Sequence, residues 1–74
     1  MDVVKLLGRN VKAWRRQRGL TQEELAARAD MDRSYVSDLE RGQRNPSVKA
    51  LGRLALALDI EPALLLQIEP KERT

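Results

Sequence analysis

One stretch of the chain, "DRSYVSDLERGQRNP" over residues 32–46, carries side chains that can do recognition chemistry. At about 100° per residue of a helix, one side of this stretch is entirely polar. This polar arc consists of Arg33, Ser34, Ser37, Asp38 and Arg41. Serine holds its hydroxyl close to the backbone, and arginine presents a planar, two-pronged donor. The polar arc is therefore suited to hydrogen bonding with a polar partner at close range.

Catalysis is not expected from these residues. Ser34, Ser37 and Asp38 come nearest to a catalytic cluster, but no base is present to activate either serine. The chain has no Cys and no His, which excludes disulfides, thiol or imidazole catalysis and the usual zinc sites. A domain of 74 residues also has little room for a pocket. We therefore expect no enzyme, no cofactor and no metal.

Charge is unevenly distributed around a net value of +3. Residues 1–20 hold six basic residues and one acid, giving +5, and residues 41–58 hold four basic residues and no acid, giving +4. Between them, residues 21–40 hold six acids and two arginines, giving −4, and residues 59–74 come to −2. Small basic excesses favour an anionic partner only slightly, so the two basic flanks are more informative than the total.

Neither a membrane partner nor export is expected. No apolar run approaches the roughly 18 residues that span a bilayer. The N-terminal "MDVVKLLGRN" lacks the apolar segment of a signal peptide. The absence of cysteine agrees, weakly, with a reducing cytoplasm as the place of action.

The apolar residues recur at three- and four-residue steps almost throughout, which predicts helices. A first helix is predicted over about residues 2–18 and is ended by Gly19. Thr21 and Glu24, in "TQEE", form the pattern of a capping box and open a second helix. This second helix is short and has alanine at several of its packing positions.

Aspartate, serine and proline mark the later helix ends. Asp30 is predicted to end the second helix and Asp32 to cap a third, which runs to about residue 41. Ser47 is predicted to begin a fourth helix that Asp59 closes, and Pro62 to open a fifth. The core stripe of the fourth helix is predicted to be Val48, Leu51, Leu54, Ala55 and Leu58. We expect a compact all-α domain of five helices over residues 1–69, with 70–74 as a frayed tail.

Residues 21–47, "TQEELAARADMDRSYVSDLERGQRNPS", closely resemble the phage-repressor-like (Xre or Cro-type) helix-turn-helix family. "GLTQEELA" matches the family's entry into helix two, "LERG" its exit from helix three, and "RNPS" the loop before helix four. The resemblance extends from about Val11 to Leu66. It implies a five-helix, lambda-repressor-like fold in which helices two and three form the helix-turn-helix over about residues 21–41.

The resemblance implies a sequence-specific regulator of transcription that binds double-stranded DNA, with its third helix in the major groove. The implied base-reading residues are Arg33, Ser34, Ser37 and Asp38. The implied phosphate contacts are Thr21, Gln22, Arg41, Arg44 and Asn45.

Two further roles concern charged residues. The resemblance implies an internal ion pair between Arg15 and Glu40, and on the helical wheel Glu40 does fall on the inward half. Asp38 is the one acid of the polar arc and should weaken non-specific binding to DNA. It can accept from cytosine N4, or it can hold Arg33 or Arg41 in one rotamer.

An isolated helix-turn-helix reads few base pairs, so the resemblance implies a homodimer on paired half-sites. Leu56 and Leu66 fall outside the apolar stripes of the fourth and fifth helices and are the candidate interface residues. An alternative function is a protein-binding module, such as an antitoxin or adaptor, built on the same fold. Among DNA-binding proteins, a restriction–modification controller protein and a small phage or chromosomal repressor both stay open.

Overall fold

The computed structural model describes residues 1–68, and these residues form helices without any strand among them. The predicted tail, residues 70–74, lies outside this range. The α-helices are α1 (Val3–Gln17), α2 (Gln22–Ala29), α3 (Arg33–Glu40) and α4 (Val48–Leu58), followed by a 3-10 helix (Pro62–Leu66). The all-helical expectation is confirmed, but the last segment is not the predicted α-helix.

The predicted helix starts are largely confirmed. Asp2 accepts two amide hydrogen bonds from the first turn of α1, at 3.0 and 3.2 Å, and Ser47 accepts one from α4 at 3.1 Å. Thr21 and Glu24 exchange backbone-to-side-chain hydrogen bonds of 3.0 and 2.9 Å, a complete capping box. Asp32 occupies the N-cap of α3 without a capping hydrogen bond from its side chain. A cap position was therefore easier to predict than the bond it makes.

Two helices end at left-handed aspartates, and each end accepts hydrogen bonds from an arginine that is distant in the sequence. Asp30 (φ 56°) ends α2, and Asp59 (φ 57°) ends α4. Arg53 donates to the last carbonyl of α2 at 2.9 Å and to the carbonyl of Asp30. Arg18 donates to the last carbonyl of α4 at 2.8 Å and to the carbonyl of Asp59 at 3.2 Å. These guanidinium groups satisfy carbonyls that the helices leave unpaired.

All five helical segments contribute to one apolar core. Its largest fully buried side chains are Val11, Leu25, Val36, Leu39, Leu54, Leu58 and Leu65. Full burial of each such side chain is worth roughly 1.5–3 kcal/mol relative to exposure. Val36 and Leu39 belong to α3, so its inward side is fixed in the core and its polar arc faces outward.

Close backbone contact also fixes α3 against α1. Gly8 lies in the middle of α1, and a methyl group on its Cα would stand 2.4 Å from the carbonyl oxygen of Leu39. The two helices can approach this closely only because Gly8 has no side chain.

Two details of the predicted fold are wrong. The sequence pattern predicts Val48 in the core stripe, but Val48 is 84% exposed, because the first turn of α4 lies outside the core and full burial begins only at Leu54. The segment that Pro62 opens is a 3-10 helix of five residues, a geometry favoured in short pieces. Its end is fixed by Asn10, whose side-chain amide donates to the carbonyls of Leu65 at 2.8 Å and Gln67 at 3.0 Å.

Candidate nucleic-acid interface

The polar arc of α3 lies on the surface of the protein. Arg33, Ser34 and Arg41 are exposed, and Ser37 and Asp38 are half-buried. The structure therefore brings together, on one outward face, all four residues expected to read bases.

The N-terminus of α2 lies beside the start of this face. Thr21, Gln22 and Glu23 line an open depression together with Arg15 and Arg33. The first turn of a helix presents unpaired N–H groups and the positive end of the helix dipole. Such a terminus favours an anion, so a phosphate contact at α2 and a base contact by Arg33 are geometrically compatible.

A largely shielded ion pair connects α1 and α3 beside this depression, which Arg15 also lines. The Arg15 guanidinium donates to Glu40 through Nε at 2.7 Å and through a terminal nitrogen at 3.1 Å, and it also donates to the Leu20 carbonyl at 2.9 Å. The Arg15 and Glu40 side chains are only 11% and 3% exposed. Hydrogen bonding to Glu40 raises the pKa of Arg15 above its ordinary value. This is the pairing that the resemblance implies.

The same carboxylate holds Gln22. The Gln22 side-chain amide donates to Glu40 at 3.1 Å, a bond between α2 and α3 that sequence reasoning missed. An amide nitrogen has two hydrogens, so this bond leaves one for another acceptor. Glu40 thus fixes the orientation of the residue expected to hold a phosphate.

Asp38 forms ion pairs with two arginines at the C-terminal end of the polar arc. Its carboxylate lies 2.5 Å from Arg41 and 3.7 Å from Arg44. Of the two partners expected for Asp38, the structure pairs it with Arg41. Arg44 also lies over the ring of Tyr35, 5.0 Å from its centroid. No residue spacing predicts this stacking, because Arg44 reaches back to α3 from the following loop, where Asn45 is also exposed.

The leucines expected at an interface between copies differ in their surroundings. Leu56 is 82% exposed on α4. Leu66 is 41% exposed and lines an apolar groove of about 190 Å³ with Val3, Val48 and Leu51. Exposed apolar residues are common singly, but grouped ones favour contact with a partner.

No helix between residues 1 and 68 is long and apolar enough to cross a membrane. Over the same residues, no group of three or more acidic side chains is arranged to hold a metal ion.

Comparison with known proteins places this geometry in a family. The family model described as "Helix-turn-helix" matches residues 11–65. An uncharacterized HTH-type transcriptional regulator, y4dJ of Sinorhizobium fredii, is 46% identical over 74 residues, covering all of this chain and 94% of that protein.

Solved structures agree with the sequence comparison. The restriction–modification controller protein C.AhdI of Aeromonas hydrophila superposes with a TM-score of 0.82 and 47% identity, covering 84% of this chain and 94% of its own. The controller protein C.Esp1396I, solved as a tetramer with its natural 35-base-pair operator, gives a TM-score of 0.81 at 29% identity, covering 88% and 86%. The resemblance seen in the sequence is confirmed, and this chain belongs to the Xre-type helix-turn-helix family.

Proposed function

We propose that this chain is a sequence-specific regulator of transcription that binds double-stranded DNA as a homodimer, with α3 in the major groove. The observation that carries the proposal is the outward-facing polar arc of α3 beside the N-terminus of α2. In this proposal α2 and α3 form the helix-turn-helix, within a domain spanning residues 1–69. Family membership supports it, since relatives of this chain are transcriptional regulators and controller proteins.

Base reading falls to the residues of α3 that face outward. Arg33, in the first turn, can donate two parallel hydrogen bonds to O6 and N7 of a guanine, a contact worth about 1–3 kcal/mol of discrimination. Ser34 and Ser37 are short enough to reach base edges only when α3 lies deep in the groove. Their hydroxyls can donate or accept, so they fit more than one base.

Phosphate contacts frame this reading face on two sides. Thr21 and Gln22 lie at the N-terminus of α2, where free amides and the helix dipole favour a phosphate. Arg41, Arg44 and Asn45 lie at and just beyond the end of α3 and can reach the neighbouring backbone. Contacts on both sides would fix the depth and register of α3 without carrying sequence information themselves.

The homodimer is supported by the distribution of exposed apolar side chains. Leu66, Val3 and Val48 line the apolar groove, and Leu56 is a further exposed leucine on α4. Pairing of two copies would double the number of base pairs read, which an isolated helix-turn-helix needs for specificity. The similar protein C.Esp1396I was solved as a tetramer in complex with its natural operator, which supports binding of more than one copy of this chain to DNA.

A role without catalysis, cofactor or metal follows from the same proposal. The restriction–modification controller protein and the small repressor remain two versions of it, since both kinds of protein share this fold. A regulator of either kind meets its DNA in the cytoplasm, which is the location we propose.

Protection of guanine N7 tests where α3 binds. Dimethyl sulfate methylates guanine N7 in the major groove, so a bound Arg33 should shield that atom. We expect strong protection at one guanine in each half-site and unchanged methylation of adenine N3 in the minor groove. Protection confined to the minor groove, or none in a saturated complex, would contradict the proposed geometry.

A further inference from the structure

We propose that Asp38 sets the ratio of specific to non-specific DNA binding by neutralising Arg41 and Arg44 in the free protein. This inference rests on the proposed function, because it concerns how the same surface discriminates between duplexes. It assigns to one carboxylate a role in specificity that is separate from base reading by Arg33.

The geometry shows one carboxylate shared between two cations. One oxygen of Asp38 lies 2.5 Å from Arg41, three residues later on the same helix face, and the other lies 3.7 Å from Arg44. Stacking on Tyr35 holds Arg44 in place, with its guanidinium 5.0 Å from the ring centroid. The three charges together amount to +1, where the two arginines alone would present +2.

The position of Asp38 makes this arrangement relevant to DNA. Asp38 is the one acid among the five residues of the polar arc, and its side chain is 30% exposed, so it faces whatever the arc meets. Glu40, two residues later, lies on the other side of the helix and is already paired with Arg15.

Non-specific binding is the mode that this carboxylate weakens. On a random duplex a protein is held through phosphates, and each cation that pairs with a phosphate releases counterions. Pairing with Asp38 reduces the net charge that Arg41 and Arg44 present to a phosphate. The carboxylate itself is repelled by the phosphates, so on random sequences the two arginines attract DNA with a net charge of only +1.

At a cognate site the same charge meets a different surface. When Arg33 docks on its base, α3 lies deep in the major groove and Asp38 faces base edges. A carboxylate can there accept a hydrogen bond from cytosine N4, which compensates its charge. The repulsion between Asp38 and DNA therefore weakens binding mainly to non-cognate sequences. A repulsive group raises specificity in this way.

The test compares the full chain with the variants Asp38→Asn and Asp38→Ser. Binding is measured by fluorescence anisotropy across a salt series on two duplexes of equal length. One carries a site recovered by selection from a random duplex library (the selected site), and the other has a random sequence. Glu61→Gln is the matched control, because it removes one negative charge from an exposed residue whose side chain makes no capping hydrogen bond. Circular dichroism confirms that each variant is folded.

We expect both Asp38 variants to bind random DNA about three- to thirty-fold more tightly at low salt. The slope of log affinity against log salt should steepen by about 0.9, since removal of the carboxylate raises the net charge of the cluster by one. Affinity for the selected site should change less, so the specific-to-random ratio falls. Glu61→Gln should change the affinities for both duplexes by the same factor and leave the salt slope nearly unchanged.

An unchanged slope on random DNA in the Asp38 variants would overturn the inference. So would a change matching that of Glu61→Gln, because net charge alone would then explain it. Equal weakening on both duplexes would also overturn it and leave Asp38 as an anchor for the loop after α3. Failure of the proposed function looks different, because the unmodified chain would then show no preference between the two duplexes.

Discussion

Glu40 and Arg15 join α3 to α1 through a two-pronged ion pair, with 2.7 Å between the Glu40 carboxylate and Arg15 Nε. Both side chains are nearly inaccessible to solvent, and the same carboxylate receives the Gln22 amide from α2. One partly buried charge pair, together with Gln22, therefore joins the three helices that frame the proposed DNA surface. Its importance for stability and its importance for binding can be separated by substitution.

Removing one partner of this pair should destabilise the fold strongly. We expect Arg15→Ala or Glu40→Ala to lower the free energy of unfolding by roughly 2–3 kcal/mol, between the values for exposed and fully buried pairs, because the remaining charge is left partly buried without its partner. Urea unfolding followed by tryptophan fluorescence measures this change. The double variant should lose clearly less than the sum of the two single losses. Single losses below about 1 kcal/mol would show that the pair behaves as a surface ion pair.

Gly8→Ala should also destabilise the fold, through backbone contact. The added methyl group would stand 2.4 Å from the Leu39 carbonyl oxygen, which cannot move without displacing α3. Gly52→Ala is the matched control, because a methyl group there meets nothing within 4 Å. In urea unfolding, we expect Gly8→Ala to lose stability and Gly52→Ala to gain up to about 1 kcal/mol from helix propensity. Similar effects of both would contradict the close contact between α1 and α3.

Gln22→Ala should weaken binding to every DNA sequence by a similar factor. Loss of a hydrogen bond to a charged phosphate is worth about 1.5 kcal/mol, and it carries no base information. The salt slope should stay the same, because glutamine releases no counterion. Anisotropy titrations on selected and random duplexes measure both quantities, with the exposed Gln17→Ala as control. A changed base preference would show that Gln22 reads bases instead.

Arg33→Ala should weaken the selected site by about 1–3 kcal/mol and relax preference at one base position in each half-site. The affinity for random DNA should fall much less, since the contact that Arg33→Ala removes is to a specific base. Competition titrations against single-base variants of the site locate the relaxed position. Arg28→Ala, an exposed arginine near the end of α2, is the control. Equal losses on selected and random DNA would exclude a base-reading role for Arg33.

The capping box of α2 should make stability depend on acidic pH. Hydrogen bonds from the backbone and side chain of Thr21 lower the pKa of Glu24 below its ordinary value. A lowered folded-state pKa contributes stability that is fully present above the ordinary glutamate pKa and is lost as pH falls through the folded value.

Thermal unfolding between neutral and strongly acidic pH measures this dependence. Glu24→Gln should show a smaller loss of stability on acidification than the unmodified chain. Glu23→Gln leaves the capping box intact, so this variant should lose as much stability on acidification through Glu24 as the unmodified chain does. Identical pH profiles for the unmodified chain and Glu24→Gln would contradict the role of the capping box.

Helix caps and helix ends, which depend on neighbouring residues, were predicted well from the sequence. The caps at Thr21 and Ser47 and the helix ends at Asp30 and Asp59 depend on a few neighbouring residues, so the local sequence indicates them. The outward position of the polar arc also follows from helical periodicity.

Contacts between distant segments were predicted poorly. Three arginines make contacts that only the tertiary fold brings about. Arg53 donates a hydrogen bond to the end of α2, Arg18 donates one to the end of α4, and Arg44 stacks on Tyr35. The prediction that Val48 is buried was wrong for a related reason. Periodicity indicates which face of a helix points inward, but it does not indicate where along the helix the core ends. The roles of individual residues in binding DNA stay predictions.

Selection from a random duplex library, with recovered sites re-measured across a salt series, tests the central claim most directly. The account predicts a two-fold symmetric motif with a guanine at the same place in each half-site, and a salt slope equivalent to several phosphates. Weak binding that recovers no motif and vanishes at moderate salt would contradict it. The polar arc around Arg33 and Ser37 would then be a surface for another protein.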